Sequence, residues 1–134
     1  MEPYKSRGES KIASLLDSYK IPFLYEKETL LEDDFKLKIW YPNFYLPDFK
    51  VYVEYFGIMN NLGYSAMTDH KIQVFRENKL DLVSVFPEQF NQLENQILGR
   101  IDQILTTRAT EFRRKIESRS APLAAHITSE PPQN

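Results

Sequence analysis

Glu54 is the residue of this chain whose surroundings point most directly to chemistry. It lies inside the apolar run 51–56, where an ionised carboxylate without a partner would be costly. If residues 47–50 form the loop of a hairpin, Asn43 lies directly opposite Glu54 on the neighbouring strand. Cross-strand partners have Cβ atoms roughly 4.5–5.5 Å apart. The side chains of Asn43 and Glu54 could therefore share one cation.

Asp48 is the other acidic residue of this hairpin, and it follows Pro47. In the register just described Leu46 pairs with Val51, so Asp48 falls in the loop. Six residues of extended chain, at about 3.3 Å each, would separate Asp48 from Glu54 by roughly 20 Å. That distance is too long for one metal ion, and Pro-Asp is typical of turns. We therefore interpret Asp48 as a turn residue.

The first element expected along the chain is a helix, Arg7–Tyr19, because apolar residues recur there near the helical period. Ser6 can cap this helix, and Glu9 lies three residues later, as in a capping box. Alternation predicts a strand over Phe23–Thr29. Leu30–Asp34 is interpreted as a polar turn.

Two aromatic runs, 44–46 and 51–56, are predicted to be strands that flank the turn at Pro47 and Asp48. The remaining expected elements are an extended segment at Phe35–Tyr41, a helix at Ser65–Asn78, a buried strand at Leu80–Phe86 and an amphipathic helix at Glu88–Glu117. This order predicts an α/β chain of the α+β kind, with helices covering a mixed sheet. We expect one domain over residues 1–117 and a disordered tail over residues 118–134.

Composition limits the function classes. The chain has 134 residues, no cysteine and a net charge of −2, so disulfides and thiolate metal sites are excluded. We expect an intracellular protein, cytoplasmic or nucleoid-associated, with no membrane partner, because there is neither a long apolar run nor a secretory h-region. His70 and His126 are not spaced as zinc ligands.

Charge is distributed unevenly along the chain. Residues 100–119 hold six basic and three acidic side chains, whereas residues 26–34 are acidic. This polarity predicts a face that could accept a phosphate backbone. An ordinary solvated helix face explains the same pattern equally well.

Three segments together carry a resemblance to a known family. They are Ser6-Arg7-Gly8-Glu9-Ser10-Lys11-Ile12-Ala13, Tyr41-Pro42-Asn43-Phe44-Tyr45-Leu46-Pro47 and Tyr52-Val53-Glu54-Tyr55-Phe56-Gly57. In combination they resemble the PD-(D/E)XK nuclease superfamily, and are most similar to the nuclease-like segment of some superfamily-one DNA helicases and its short stand-alone relatives. The resemblance spans roughly residues 4–90.

The resemblance implies a restriction-endonuclease-like core, arranged as helix, three strands, helix and strand, followed here by a long C-terminal helix. It also implies a DNA phosphodiesterase that uses Mg²⁺ or Mn²⁺. The metal ligands would be Glu9, position 43, Glu54 and the backbone carbonyl of Tyr55, with Lys71 supplying the catalytic amine. Candidate nucleic-acid contacts are Lys5, Arg7, Lys11 and Tyr64.

The chain departs from the family pattern at two positions. Asn43 stands where the family has aspartate, and an amide brings no charge to a cation, so metal affinity should fall. Phe56 stands in the lysine position, although the helicase-associated relatives also have an aromatic residue there. Asn43 is compatible with a natural pseudo-nuclease, a weakened enzyme or a deliberately inactivated form.

Three functions therefore remain open. The first is a metal-dependent DNA endonuclease of DNA repair or recombination, or its inactivated form. The second is a non-catalytic nucleic-acid-binding module. The third is a protein-interaction domain that uses the long C-terminal helix. A homodimer through that helix and a helicase or other DNA-processing partner are further expectations.

Overall fold

The computed structural model describes residues 4–57 and 62–129, without the side chains of residues 62–64, 89 and 120–129. It is a mixed α and β structure with a long C-terminal helix. Its helices are α1 (Arg7–Ser18), α2 (Leu62–Glu77), a 3-10 helix (Pro87–Gln92) and α3 (Leu93–Ser129). Its strands are β1 (Leu24–Tyr25), β2 (Thr29–Asp33), β3 (Lys36–Trp40), β4 (Phe44–Leu46), β5 (Val51–Tyr55) and β6 (Leu82–Val85).

A mixed four-stranded sheet in the order β1-β4-β5-β6 forms the centre of the fold. β4 is antiparallel to β1 and β5, and β5 is parallel to β6, to which the chain returns after α2. Leu46 pairs with Val51 and Phe44 with Val53, so the predicted hairpin register is confirmed. Asp48 lies exposed in the turn between the two strands, as predicted.

β2 and β3 form a separate antiparallel hairpin, and the interpretation of Leu30–Asp34 as a polar turn is wrong. In the described part of the chain, five strands rather than three precede α2. Every second residue of β2 is buried, including the polar Thr29 and Asp33. Their partners are both near and far in sequence. The Thr29 hydroxyl lies 3.0 Å from the Lys27 carbonyl oxygen and 3.3 Å from the Tyr52 hydroxyl, and Asp33 meets Lys38 at 3.0 Å and His70 at 3.0 Å.

The chain reverses between β2 and β3 at Asp34 and Phe35, whose φ angles are +57° and +62°. Two positive φ values are what a tight hairpin turn requires, although glycine and asparagine adopt them at lower cost. Phe35 is 93% exposed at the tip. The turn therefore extends one residue beyond the polar segment 30–34 and includes an aromatic residue, which is why polarity alone misplaced it.

α1 packs its inner face, Gly8, Glu9, Ile12, Ala13 and Leu16, into the interior of the first compact unit. Ser6 caps the helix, as predicted, by accepting a hydrogen bond from the Glu9 N–H at 3.1 Å. A methyl group on Gly8 would overlap the ring of Tyr55 on β5, and one on Gly57 would lie 2.8 Å from the same ring. The absence of a side chain at Gly8 therefore lets α1 approach β5 closely.

The C-terminal region differs from the expected single helix over Glu88–Glu117. Its first turns form the 3-10 helix, and α3 then continues past Glu117 to Ser129. The chain divides into two compact units, residues 1–101 and 102–134. In the second unit Phe112 and Ile116 are 66% and 45% exposed. Among the described residues, no helix has the length and apolar character needed to cross a membrane.

Replacement of Gly8 by alanine should destabilise the chain, because the added methyl must displace the ring of Tyr55 from its place between the two glycines. Such overpacking typically costs about 1–3 kcal/mol. Gly99→Ala is the matched control, since nothing lies within 4 Å of its added carbon. That variant should gain about 0.5–1 kcal/mol from helix propensity. Urea unfolding of both variants measures the difference, and a gain in stability for Gly8→Ala would contradict the close approach.

Candidate functional site

Glu54 occupies the interior of the sheet, on a strand with neighbours on both sides. Its partner in the parallel register is Ser84 on β6, and its side chain is 7% exposed. Both carboxylate oxygens have donors. Oε1 accepts the backbone N–H of Asn43 at 2.7 Å, and Oε2 lies 3.1 Å from Nζ of Lys71. The buried charge is thus balanced by one backbone dipole and one ammonium group.

Asn43 connects three segments of the chain at the end of the β4–β5 hairpin. Its side-chain Oδ1 accepts the backbone N–H of Tyr55 at 2.7 Å, while its own N–H goes to Glu54. Its carbonyl oxygen accepts the N–H of Glu26 at 3.0 Å. Asn43 is 9% exposed. The structure therefore brings Asn43 and Glu54 together across the hairpin, as the sequence predicts.

Glu9 comes to the same region from α1. It is buried because it precedes Ile12 and Ala13 on the inner face of that helix. Its carboxylate accepts a hydrogen bond from the Tyr25 hydroxyl, which itself accepts the N–H of Lys5 at 3.2 Å. Burial raises the pKa of the Glu54 carboxyl, and the charge of the nearby Glu9 adds to that rise. Two acidic side chains thus lie near each other within the described part of the molecule.

Lys71 reaches Glu54 from α2. It lies on the same helix face as Thr68 and Phe75, which are three residues before it and four after it, and both of these are buried. The stem of Lys71 therefore runs towards the sheet, although its side chain remains 42% exposed. Phe56, in the position where the family has lysine, is 2% exposed and stacks on Phe86 at a centroid distance of 5.5 Å. The amine at this site comes from the helix and not from β5.

Burial is the dominant influence on the ionisation of Glu54. It raises the pKa of the carboxyl above its ordinary value, and the charge of Lys71 and the hydrogen bond from Asn43 offset the rise only in part. Burial likewise raises the pKa of Tyr25, with the hydrogen bond to Glu9 adding to the effect. Tyr25 therefore stays neutral and remains a hydrogen-bond donor.

The oxygen atoms at this site are of the kind that Mg²⁺ and Mn²⁺ prefer. Among the side chains that the structure describes, however, no three from His, Cys, Asp or Glu are grouped so that they could hold a metal ion. The oxygen of Asn43 is directed at the Tyr55 N–H, and Glu54 holds the Lys71 ammonium. As the chain stands, the residues do not fit a tightly held divalent cation. The ligand role of the Tyr55 carbonyl stays a prediction.

The ring of Tyr55 has a structural role that the sequence did not reveal. It lies against Gly8 and Gly57 and stacks on Phe90, with centroids 5.5 Å apart and an interplanar angle of 19°. Gly8, next to Glu9, and Gly57, three residues after Glu54, were the sequence signal for this close packing. Tyr25 was also missed as the partner of Glu9, since sixteen residues separate them.

The basic residues expected to contact nucleic acid lie together. Lys5, Arg7 and Lys11 are exposed and line one surface groove of about 610 Å³. Tyr4 and three hydroxyl residues, Ser6, Ser10 and Ser14, complete the lining. Lys5 also pairs with Glu26 at 2.8 Å, and Nζ of Lys11 lies 5.5 Å from the centre of the Phe90 ring. The side chain of Tyr64 lies outside the described residues.

A second cavity, of about 240 Å³, adjoins the Glu54–Lys71 pair and was not expected from the sequence. Five residues besides that pair line it: Ile39, Trp40, Tyr41, Pro42 and Phe75. Most of its wall is therefore aromatic or aliphatic, with both charges on one ion pair.

No protein-family model matches the chain, and no curated protein gives a significant sequence match.

The raised pKa of Glu54 predicts how stability depends on pH. Between the ordinary carboxyl pKa of 4.5 and the raised value, the native chain keeps a proton that the unfolded chain has released. Stability should therefore fall as the pH rises through that window, by up to about 1.4 kcal/mol per pH unit. Glu54→Gln should remove this dependence, so the variant gains stability relative to the parent as pH increases.

Urea unfolding of both proteins at a series of pH values above about 4 measures this difference. Glu88→Gln, which replaces an exposed carboxyl, is the control and should follow the parent profile. Parallel profiles for Glu54→Gln and the parent would show that burial does not raise the Glu54 pKa.

Proposed function

We propose that this chain is a nuclease of the PD-(D/E)XK type that has been disabled, or strongly weakened, at Asn43. The observation that carries the proposal is a set of three contacts. The Asn43 N–H donates to Glu54, the Asn43 side chain accepts the Tyr55 N–H, and the Lys71 ammonium donates to Glu54. This set of contacts joins, around one buried carboxylate, the positions at which the family resemblance expects a metal ligand pair and a catalytic amine. The proposal extends to a restriction-endonuclease-like core.

The arrangement of elements supports this assignment. A helix supplies Glu9, an antiparallel hairpin supplies Asn43 and Glu54, and the helix after the hairpin supplies Lys71. A parallel strand, β6, then completes the sheet beside β5. With a carboxylate at position 43, Glu9, that carboxylate and Glu54 would be the residues to hold a divalent cation, which would supply Lewis-acid activation of a phosphate.

The absence of a negative charge at position 43 explains why activity should be low. An aspartate there would give three carboxylates with Glu9 and Glu54, whereas the amide leaves two. Lys71 now neutralises one of these, so little negative charge remains to attract a divalent cation. Because the Tyr55 N–H can be accepted by a carboxylate oxygen as well as by an amide oxygen, an aspartate side chain would fit the same position.

Asn43→Asp should therefore create Mg²⁺- or Mn²⁺-dependent nicking of plasmid DNA that the parent chain lacks or shows only weakly. The added carboxylate should also make thermal stability depend on the metal, because an ion that binds only the native state raises Tm. The melting temperature of Asn43→Asp should rise with Mg²⁺, whereas that of the parent should change little. Agarose-gel nicking and thermal melting measure the two effects.

Asn43→Asp combined with Glu54→Ala is the required control for contaminating nuclease, and it should lose both nicking and the metal-dependent shift. Branched DNA should be included beside plasmid, because nothing at the site selects the substrate structure. If Asn43→Asp folds but neither cleaves DNA nor responds to metal, the nuclease assignment is wrong.

A non-catalytic nucleic-acid-binding module is the second candidate, and the groove that Lys5, Arg7 and Lys11 line supports its binding function. Lysine and arginine beside hydroxyl groups are typical phosphate contacts. Such a groove serves a disabled nuclease and a pure binding module equally. The two functions differ in the response to Asn43→Asp.

Loss of Arg7 and Lys11 together should weaken DNA binding and reduce its salt dependence. Each lost phosphate contact should make the negative slope of log K against log salt less steep by about 0.9. The slope of the double alanine variant should therefore be less steep by about 1.8. Lys36→Ala with Arg76→Ala removes the same charges from exposed positions outside the groove and is the matched control. Fluorescence anisotropy at several salt concentrations measures both variants. Equal slopes would exclude the groove as the binding surface.

A further inference from the structure

The cavity beside the Glu54–Lys71 pair has a largely apolar wall that is partly exposed. Tyr41 is 56% exposed and Ile39 is 52% exposed, although both are large apolar or aromatic side chains. Trp40, which lies between these two residues in sequence, is half-buried, and its ring centre lies 6.1 Å from that of Phe75. A concave, mostly apolar surface with a few polar groups at one end is the usual form of a ligand site.

The size of the cavity suits a small aromatic group. Its volume of about 240 Å³ has room for one planar ring system. Aromatic side chains bind exposed nucleobases by stacking, and this requires a base that has left its duplex neighbours. A base in intact B-form DNA would first have to be flipped out, at a cost that an unpaired base avoids.

The polar end of the cavity suits a phosphate. Lys71 is 42% exposed, whereas the Glu54 side chain it contacts is 7% exposed. An ammonium has three N–H donors, so those of Lys71 that do not face Glu54 can donate to a ligand while the ion pair is kept. A nucleotide with its base against Trp40 and Tyr41 would present its phosphate to the side of the cavity that Lys71 lines.

We propose that this cavity binds one unpaired nucleotide of DNA, with its base on Trp40 and Tyr41 and its phosphate at Lys71. The proposal deepens the proposed function, on which it rests, by naming the substrate class as DNA with a single-stranded segment. Trp40 and Tyr41 then act in recognition and not in hydrolysis. Binding should follow the presence of an unpaired base more than the length of duplex.

Trp40 is the only tryptophan in the chain, so its fluorescence reports directly on the cavity. The full chain should be titrated with a short oligothymidine, with an abasic deoxyribose-phosphate strand of equal length, and with a blunt duplex. The oligothymidine should quench Trp40 and bind roughly 5- to 150-fold more tightly than the abasic strand, the range expected for one stacked base. The duplex should leave the fluorescence almost unchanged.

Tyr41→Ala keeps the Trp40 signal and should weaken binding of the oligothymidine while leaving that of the abasic strand unchanged. Phe35→Ala is the control, because Phe35 is an exposed aromatic residue outside this cavity. Equal quenching by the oligothymidine and the abasic strand, or no binding of either, would overturn the proposal.

The outcomes separate this proposal from the one on which it rests. Nicking by Asn43→Asp without base-dependent quenching would overturn the nucleotide site and leave the nuclease assignment standing. Base-dependent quenching in a chain whose Asn43→Asp variant stays inactive would support the nucleotide site and overturn the nuclease assignment.

Discussion

The burial of the Glu54 carboxylate is the constraint on which the surrounding structure depends. An ionised group inside a sheet needs compensation for the water it has lost, and here the neighbouring strand and the following helix supply it. The Asn43 N–H and the Lys71 ammonium each take one oxygen. These contacts connect the open end of the hairpin and α2 to one carboxylate. The same contacts leave the carboxylate beside a cavity, where a ligand can reach its neighbours.

Contacts of α1 with the sheet bring the second acid to this point. Gly8 allows the helix to lie against Tyr55, and Tyr25 binds the carboxylate of Glu9 from β1. Tyr55 is also the residue whose N–H binds Asn43. One strand residue therefore touches the helix through its ring and the hairpin through its backbone. Packing and candidate chemistry are linked here. A shift of the Tyr55 ring would move Glu9 relative to Glu54, and a shift of the Tyr55 backbone would move Asn43.

Local rules predicted the parts of this arrangement that depend on neighbours in sequence. Turn chemistry and alternation gave the register that places Asn43 opposite Glu54, and the capping pattern gave the start of α1. They failed at β2, because Thr29 and Asp33 are polar residues buried by partners as distant as Tyr52 and His70. The cavity beside Glu54 was missed for the same reason, as its wall joins β3 to α2.

The amide at position 43 has a genetic consequence. Asparagine and aspartate codons differ only in their first base, so one transition in the gene would exchange the two side chains. The hydrogen bond from Tyr55 can be kept by either residue, although an aspartate would add a third carboxylate beside Glu9 and Glu54. If the proposed function is right, an allele for an inactive protein and an allele for an active nuclease differ by a single nucleotide. Selection on the cell, and not the architecture of the protein, would then decide which one persists.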